Sequence, residues 1–276
     1  MKLTELLGEG KEILRRAQID EWELDAWYLL EHAGNYAKDE RFLHPDREVE
    51  AEHERYYRTL LGERSRHVPL QYLTGSQSFM GFSFYVNEDV LIPRQDTEIL
   101  VEEALKYIHP GMRILDLCTG SGCILFSVQK LAPGVSGTGA DVSERALKVA
   151  EQNRSRLGVC SRLLQSDLFD QVEGRYDCIL SNPPYIPSDV VDTLMEEVRD
   201  HEPRLALDGR EDGLYYYRKI TEQSPEYLEA GGLLFFEIGY DQAEQVMLLM
   251  EKEFTGIRVV KDLSGHDRVV YGRLKT

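Results

Sequence analysis

The sequence has no uninterrupted apolar run near the ~20 residues needed to cross a bilayer, and its first stretch, "MKLTELLGEGKEILRRAQ", threads charge through its apolar positions. That mixture excludes the apolar core of a signal peptide. A cytoplasmic protein with no membrane partner is expected. Cysteine is scarce: Cys118, Cys123, Cys160 and Cys178 are the four present, and no two form a metal-like CxxC pair. A disulfide framework and a cysteine-rich metal site are therefore not expected, and the thiols read as reduced and mostly buried. Positive charge is also short, with 32 Lys and Arg against 49 Asp and Glu, for a net charge of −17. A protein that grips a nucleic-acid backbone usually carries a basic face. The acidity argues against direct binding of DNA or RNA and is equally explained by solubility. There is no internal repeat and no low-complexity tract.

What is present is a change of period along the chain. The 276 residues suffice for one large domain or two modest ones. Residues 1 to 75 carry helical spacing only. Leu3, Leu6, Leu7, Ile13, Leu14 and Ala17 mark one helix, and Trp22, Ala26, Leu29 and Leu30 a second. Asp20 and Glu23 suggest a capping box at the start of the second. A long charged helix is expected after Pro45. In residues 76–95 the spacing predicts a β-hairpin, with "FSFYV" and a returning "VLI" around an "NED" turn. "QDTEILVEEALKYI" then predicts a helix capped by Asp96 or Thr97.

From residue 96 to 276, and clearly from 111, strand and helix patterns alternate. This predicts an α/β fold with a mostly parallel sheet and helices on both faces. The last two strands, "IRVVK" and "RVVYGR", are joined by a short polar loop, which predicts an antiparallel edge.

The candidate site residues fall at the ends of successive strands, where open α/β sheets bind ligands. "LDLCTGSGC" ends one strand at Asp116 and turns through Cys118, Thr119, Gly120, Ser121 and Gly122 into a helix. Such a loop lets backbone N–H groups approach a ligand, although a tight strand-to-helix turn alone has the same glycines. Asp141, 19 positions beyond Gly122, can accept both hydroxyls of a ribose or cap the following helix. The pair points to an adenosine-type ligand without separating a nicotinamide cofactor from S-adenosylmethionine. In "SDLF", Asp167 suits an adenine amine and Leu168 its ring, and Asp167 reads equally well as a loop aspartate. "LIPRQDTE" either borders the site through Arg94, Thr97 and Glu98 or starts a helix. "HEPRLALDGREDG", at residues 201–213, is either a lid or a solvated connection.

"SNPPY" decides the class of chemistry. A conjugated –NH2 group is a poor nucleophile because its lone pair is delocalised. An enzyme can fix both N–H hydrogens on acceptors and turn the lone pair toward an electrophile. Asn182 offers a side-chain oxygen and Pro183 a backbone carbonyl, which Pro184 holds rigid. Tyr185 offers a flat face for the planar group.

These segments resemble class I S-adenosylmethionine-dependent methyltransferases of the NPPY type. "PLQYLTG", "LIPRQDTE", "HEPRLALDGREDGL" and "DLSGHDRVV" make the chain similar to one branch, the release factor glutamine methyltransferases. The resemblance spans nearly the whole chain. It implies a Rossmann-like sheet with a small all-α N-terminal domain (1–75) that recognises the substrate, a hairpin linker (76–95) and a methyltransferase domain (96–276). It implies transfer of a methyl group from S-adenosylmethionine, leaving S-adenosylhomocysteine, to the side-chain nitrogen of the Gly-Gly-Gln glutamine of peptide-chain release factors. A monomer with no metal is expected. By motif, Asp116, Cys118 to Gly122, Asp141, Asp167, Leu168 and Asn182 would bind the cofactor, and Asn182, Pro183, Pro184 and Tyr185 would hold the glutamine. Cys118 stands where the family usually has glycine, and Leu168 where many relatives have an aromatic ring. The alternative, from NPPY alone, is an adenine amino-methyltransferase acting on DNA or RNA.

Overall fold

The computed structural model describes residues 1–276. In chain order the elements are α1 (Leu3–Arg16), α2 (Trp22–Gly34), α3 (Glu40–Leu43), α4 (Ala51–Arg64), α5 (Leu70–Thr74), β1 (Gln77–Phe79), β2 (Phe82–Phe84), α6 (Gln95–Leu105), β3 (Arg113–Leu117), α7 (Cys123–Leu131), β4 (Ser136–Asp141) and α8 (Glu144–Leu157). They continue with β5 (Ser161–Gln165), β6 (Tyr176–Ser181), α9 (Ser188–Val191), α10 (Glu196–His201), α11 (Tyr215–Tyr227), β7 (Leu228–Glu237), α12 (Ala243–Met250), β8 (Phe254–Lys261) and β9 (Asp267–Leu274). No helix is long and apolar enough to cross a membrane. All four cysteines are free, with Cys123 and Cys178 buried, Cys118 half-buried and Cys160 exposed.

The chain forms two compact units, residues 1–76 with 195–201, and residues 77–194 with 202–276. The helical unit is built on the apolar faces of α1, α2 and α4. Leu3, Leu6, Leu14, Trp27, Leu30, Tyr57 and Leu60 pack into one cluster. Gly10 lets α1 close on α4, since a Cβ there would lie 1.8 Å from the Tyr57 hydroxyl oxygen. That hydroxyl donates to the Ala26 carbonyl at 3.0 Å. The expected Asp20 capping box is absent: Glu21 is the N-cap of α2, and it makes no side-chain cap bond. The helix expected after Pro45 begins later, at Ala51. Segment 195–201, including α10, joins this unit through Arg64, which donates to Asp25 at 2.7 Å and to Glu197 at 2.5 Å.

The larger unit is a seven-stranded sheet in the order β5-β4-β3-β6-β7-β9-β8. β3, β4, β5, β6 and β7 run parallel, and β9 pairs antiparallel with both β7 and β8. Side-chain alternation gives the central strands two buried faces. In β7, Leu234 and Phe236 enter one cluster while Leu233 and Phe235 enter the other. This is why such strands read as continuous apolar runs. The hairpin differs from expectation. β1 and β2 pair around Met80 and Gly81, both at positive φ (51° and 77°), as a type I′ turn requires. Val90 to Ile92 are not a strand. The Ile92 N–H instead donates to the Glu202 carboxylate at 3.2 Å.

Candidate active site

One pocket gathers residues from the carboxyl ends of β3, β4, β5 and β6. This is where β3 and β4 diverge from β6 in strand order, the switch point of a doubly wound sheet. Cys118, Thr119, Gly120, Ser121, Asp141, Asp167, Leu168, Asn182 and Pro184 all line it. Asp116, Gly122, Pro183 and Tyr185 lie within two positions of lining residues in sequence without lining it themselves.

The β3–α7 loop is shaped for close backbone approach. Cys118 and Gly120 have φ of 59° and 54°, and Gly122, the N-cap of α7, has 80°. A Cβ at Gly122 would lie 2.1 Å from the Phe126 ring, so only glycine fits. Asp116 is fully buried beneath the loop and accepts from the Thr119 hydroxyl at 2.6 Å, while its Oδ1 is unpartnered. Burial pushes its pKa up to about 7, with the Thr119 hydrogen bond opposing.

Asp141 accepts from the Gly120 N–H at 2.8 Å on one oxygen and from the Ser143 N–H at 2.9 Å on the other. It therefore ties two loops of the pocket together. The cap of α8 is Ser143, which accepts from the Ala146 N–H, so the capping reading of Asp141 falls away. Burial raises the Asp141 pKa, opposed by its backbone hydrogen bonds. Leu168 adopts φ 48°, and the Ser166 hydroxyl donates to its carbonyl at 2.8 Å. Three left-handed non-glycine residues, Cys118, Leu168 and Arg210, thus bound one pocket. Such backbone strain concentrates where surroundings over-determine a functional loop.

The end of β6 is braced from several directions. The Ser181 hydroxyl donates to the Leu117 carbonyl at 2.9 Å. The Asn182 Nδ2 donates to the Thr97 hydroxyl oxygen at 3.4 Å. Thr97 lies inside α6 rather than capping it, because the helix begins at Gln95 with Arg94 as N-cap. Arg94 and Thr97 line the pocket, whereas Glu98 turns away and accepts from the Met80 N–H at 2.6 Å. Arg94 also pairs with the buried carboxylate of Glu202. The Tyr185 hydroxyl donates to Glu237 at 3.4 Å, and its backbone carbonyl accepts from Gln242 at 3.0 Å.

The 201–213 stretch is a wall of the pocket rather than a solvated connection. Pro203, Leu205, Ala206 and Arg210 line it. Backbone bonds pin the stretch to the segment after NPPY: Ile186 N–H to Leu207 O at 3.0 Å, Gly209 N–H to Ile186 O at 2.8 Å and Ser188 N–H to Arg210 O at 2.9 Å. The crossing is tight. A Cβ on Gly209 would lie 2.7 Å from the Tyr185 Cα, and one on Gly213 would lie 2.3 Å from its carbonyl oxygen.

Sequence reasoning missed Glu237 and Gln242, which brace Tyr185, and the pocket residues Asp89 and Tyr216. Glu237 did leave a signal. It is a charged residue ending the buried apolar run Leu233 to Phe236, much as Asp116 lies near the end of β3.

A doubly wound sheet with a glycine loop after its first strand, an acid after its second and NPPY after its fourth defines a methyltransferase of the Rossmann-like class. A family model described as methyltransferase small domain matches residues 95–267, and one described as PrmC N-terminal domain matches residues 5–75. The chain is 42% identical to the release factor glutamine methyltransferase of Caulobacter vibrioides, over 99% of this chain and 96% of the relative. It is 41% identical to the enzyme of the same name from Geobacter sulfurreducens, over 92% and 88%. A crystal structure of a methyltransferase from Pyrococcus furiosus shares the fold, with a TM-score of 0.54, 16% identity and coverage of 72% of this chain and 92% of that one. The chain belongs to the release factor glutamine methyltransferase family.

Proposed function

We propose that this protein transfers a methyl group from S-adenosylmethionine to the side-chain amide nitrogen of the glutamine in the Gly-Gly-Gln motif of peptide-chain release factors. The observation that carries the reading is the anchoring of Asn182. Its Nδ2 is committed to Thr97, which leaves Oδ1 as an acceptor at a pocket-lining residue. Asn182 Oδ1 and the Pro183 carbonyl accept the two N–H hydrogens of the glutamine amide and orient its lone pair. The planar amide lies against Tyr185, whose burial and hydrogen bonds hold the ring still.

The cofactor supplies a methyl group on a positively charged sulfur. The residues present fit such a ligand. Gly120 and its left-handed neighbours open backbone space, Asp141 and Asp167 bring negative charge to the wall, and Leu168 and Ile124 supply apolar surface. Asp141 retains lone pairs for the ribose hydroxyls, and Asp167 serves the adenine amine. The helical unit is read as the recognition domain for the release factor. The working form is read as a monomer, and no nucleic acid is required.

The test is mass spectrometry of a purified release factor after incubation with the protein and S-adenosylmethionine. A gain of one methyl group on the Gly-Gly-Gln glutamine is expected. Asn182→Ala should slow that transfer by about a hundredfold or more while calorimetry still detects cofactor binding. Comparable transfer to unpaired adenine in an oligonucleotide would instead favour the base-modifying alternative.

A further inference from the structure

Behind the pocket, a chain of polar groups runs from Asn182 into the core. The Asn182 Nδ2 donates to the Thr97 hydroxyl oxygen at 3.4 Å. The Thr97 hydroxyl sits against the Glu237 carboxyl and favours its ionised form. Glu237 is 2% exposed, takes the Tyr185 hydroxyl on Oε1 at 3.4 Å, and has no hydrogen-bond partner at Oε2. Glu237 ends β7, and its place in the alternation of that strand turns it toward the sheet face that α6 covers. The methyl-transfer reading uses this acid only as the partner of the Tyr185 hydroxyl.

An amide can present either its oxygen or its nitrogen, and its neighbours decide which. We infer that Glu237 is a positioning residue which, through Thr97, sets the orientation of the Asn182 amide and so decides whether the clamp offers an acceptor to the substrate. When Glu237 is ionised it can only accept. The Thr97 hydroxyl then donates to it and must itself accept from Asn182 Nδ2, which leaves Oδ1 for the glutamine N–H. When Glu237 is protonated it can donate to Thr97. The hydroxyl is then free to donate to Asn182 Oδ1, the amide turns over, and an N–H faces the substrate where an acceptor is needed. The same carboxyl holds the Tyr185 hydroxyl, so both side chains of the clamp rest on one charge.

The groups facing Glu237 are consistent with a titrating role. Arg268 from β9 favours its ionised form, while Asp96 from α6 and burial favour the neutral form. Arg268 is itself paired with Asp96 at 3.2 Å and Asp262 at 3.1 Å. Tyr185, Tyr217 and Cys123 also face its charge, and burial raises the pKa of all three. Burial likewise raises the Glu237 pKa, to about 7.

This inference rests on the methyl-transfer reading, and a pH profile separates the two. Turnover of release factor is measured at saturating cofactor from pH 6 to 9 for wild type, Thr97→Val, Thr97→Ser and Glu237→Gln. Wild-type kcat should fall on the acid side as Glu237 is protonated. Thr97→Val should lose on the order of tenfold or more in kcat with KM for cofactor little changed, and its acid limb should disappear. Thr97→Ser, which keeps the hydroxyl, should restore both rate and limb. Glu237→Gln should also lose the limb, and if it folds poorly the two Thr97 variants still decide. An acid limb that persists unchanged in Thr97→Val, or a Thr97→Val enzyme as fast as wild type, overturns the inference and leaves the proposed activity standing. A wild type with no transfer to release factor overturns the proposed activity instead.

Discussion

The side chain of Gln242 donates from Nε2 to the backbone carbonyl of Tyr185 at 3.0 Å, across 57 positions of sequence. The same side chain accepts from the Gly239 N–H at 3.0 Å and from the Tyr217 hydroxyl at 3.4 Å. One glutamine, 7% exposed, thereby joins the NPPY loop to the loop after β7.

Gln242→Leu keeps much of the volume and removes these three bonds and a fourth, from Nε2 to the Gly213 carbonyl at 3.4 Å. A buried carbonyl and a buried N–H are then left without partners, each worth roughly 1–3 kcal/mol. Chemical denaturation should show a loss of about 2 kcal/mol or more, and turnover should drop because Tyr185 is freed. Unchanged stability and unchanged kcat together would show that the loop after β7 does not brace the clamp.

Cys118 is a non-glycine residue in the left-handed region, at φ 59°. For a side chain with Cβ that conformation costs roughly 1–2 kcal/mol. Cys118→Gly relieves the strain but frees the unfolded chain, a penalty of roughly 0.5–1 kcal/mol. A small net gain is expected, visible as a modest rise in Tm. Burial holds the Cys118 thiol well above its usual pKa, so it is a poor thiolate nucleophile. Thiol-directed alkylation should therefore spare Cys118 and label the exposed Cys160 first. Preferential labelling of Cys118 would contradict this picture of the pocket.

Arg64 is 4% exposed and is the hub of the helical unit, with Asp25 at 2.7 Å, Glu197 at 2.5 Å and the Val68 carbonyl at 3.3 Å. Removing one partner of a buried pair leaves an uncompensated charge, at a cost of roughly 3–5 kcal/mol. Burial already raises the Asp25 pKa against the Arg64 bond. Arg64→Ala should destabilise the unit by that amount and release segment 195–201 to limited proteolysis. Arg64→Lys should recover only part, because a lysine cannot fork to two carboxylates. A stable Arg64→Ala protein with a protected 195–201 segment would remove Arg64 from this role.

How far the sequence anticipates these features depends on how local they are. The central strands were legible because burial on both faces leaves an unbroken apolar run, as in "LLFFE". NPPY was legible because two prolines after a strand have few structural reasons. Thr97 reads either as a cap or as a residue bordering the site, because its hydroxyl's partner, Asn182, lies 85 positions away. Gly209 and Gly213 carry no local signal of function, since what they clear is the backbone of Tyr185. "VLI" looked like a strand from its β-branched residues, yet the Ile92 N–H goes to Glu202 instead of a ladder. Periodicity reports burial, and it cannot name the distant group that satisfies a hydrogen bond.

Two acids give the apo protein a recognisable dependence on pH. Burial raises Asp116 from 3.8 to about 7 and Glu237 from 4.5 to about 7. Between the lower and upper values the folded protein holds protons that the unfolded chain has released. Unfolding therefore releases protons in that window, and stability falls as pH rises through it. The contribution of these acids is greatest below pH 4, declines between about pH 4 and 7, and is flat above about pH 7. Glu237→Gln cannot titrate and drops its share of the slope. Denaturation without cofactor at pH 5, 6, 7 and 8 should show the wild type losing stability relative to Glu237→Gln from pH 5 to about 7 and levelling off by pH 8. Asp116→Asn should behave the same way, and the two effects should add, since β6 separates the strands that carry the two residues. A stability difference that stays constant from pH 5 to 8 would mean that Glu237 remains ionised in the folded protein, with Arg268 outweighing burial.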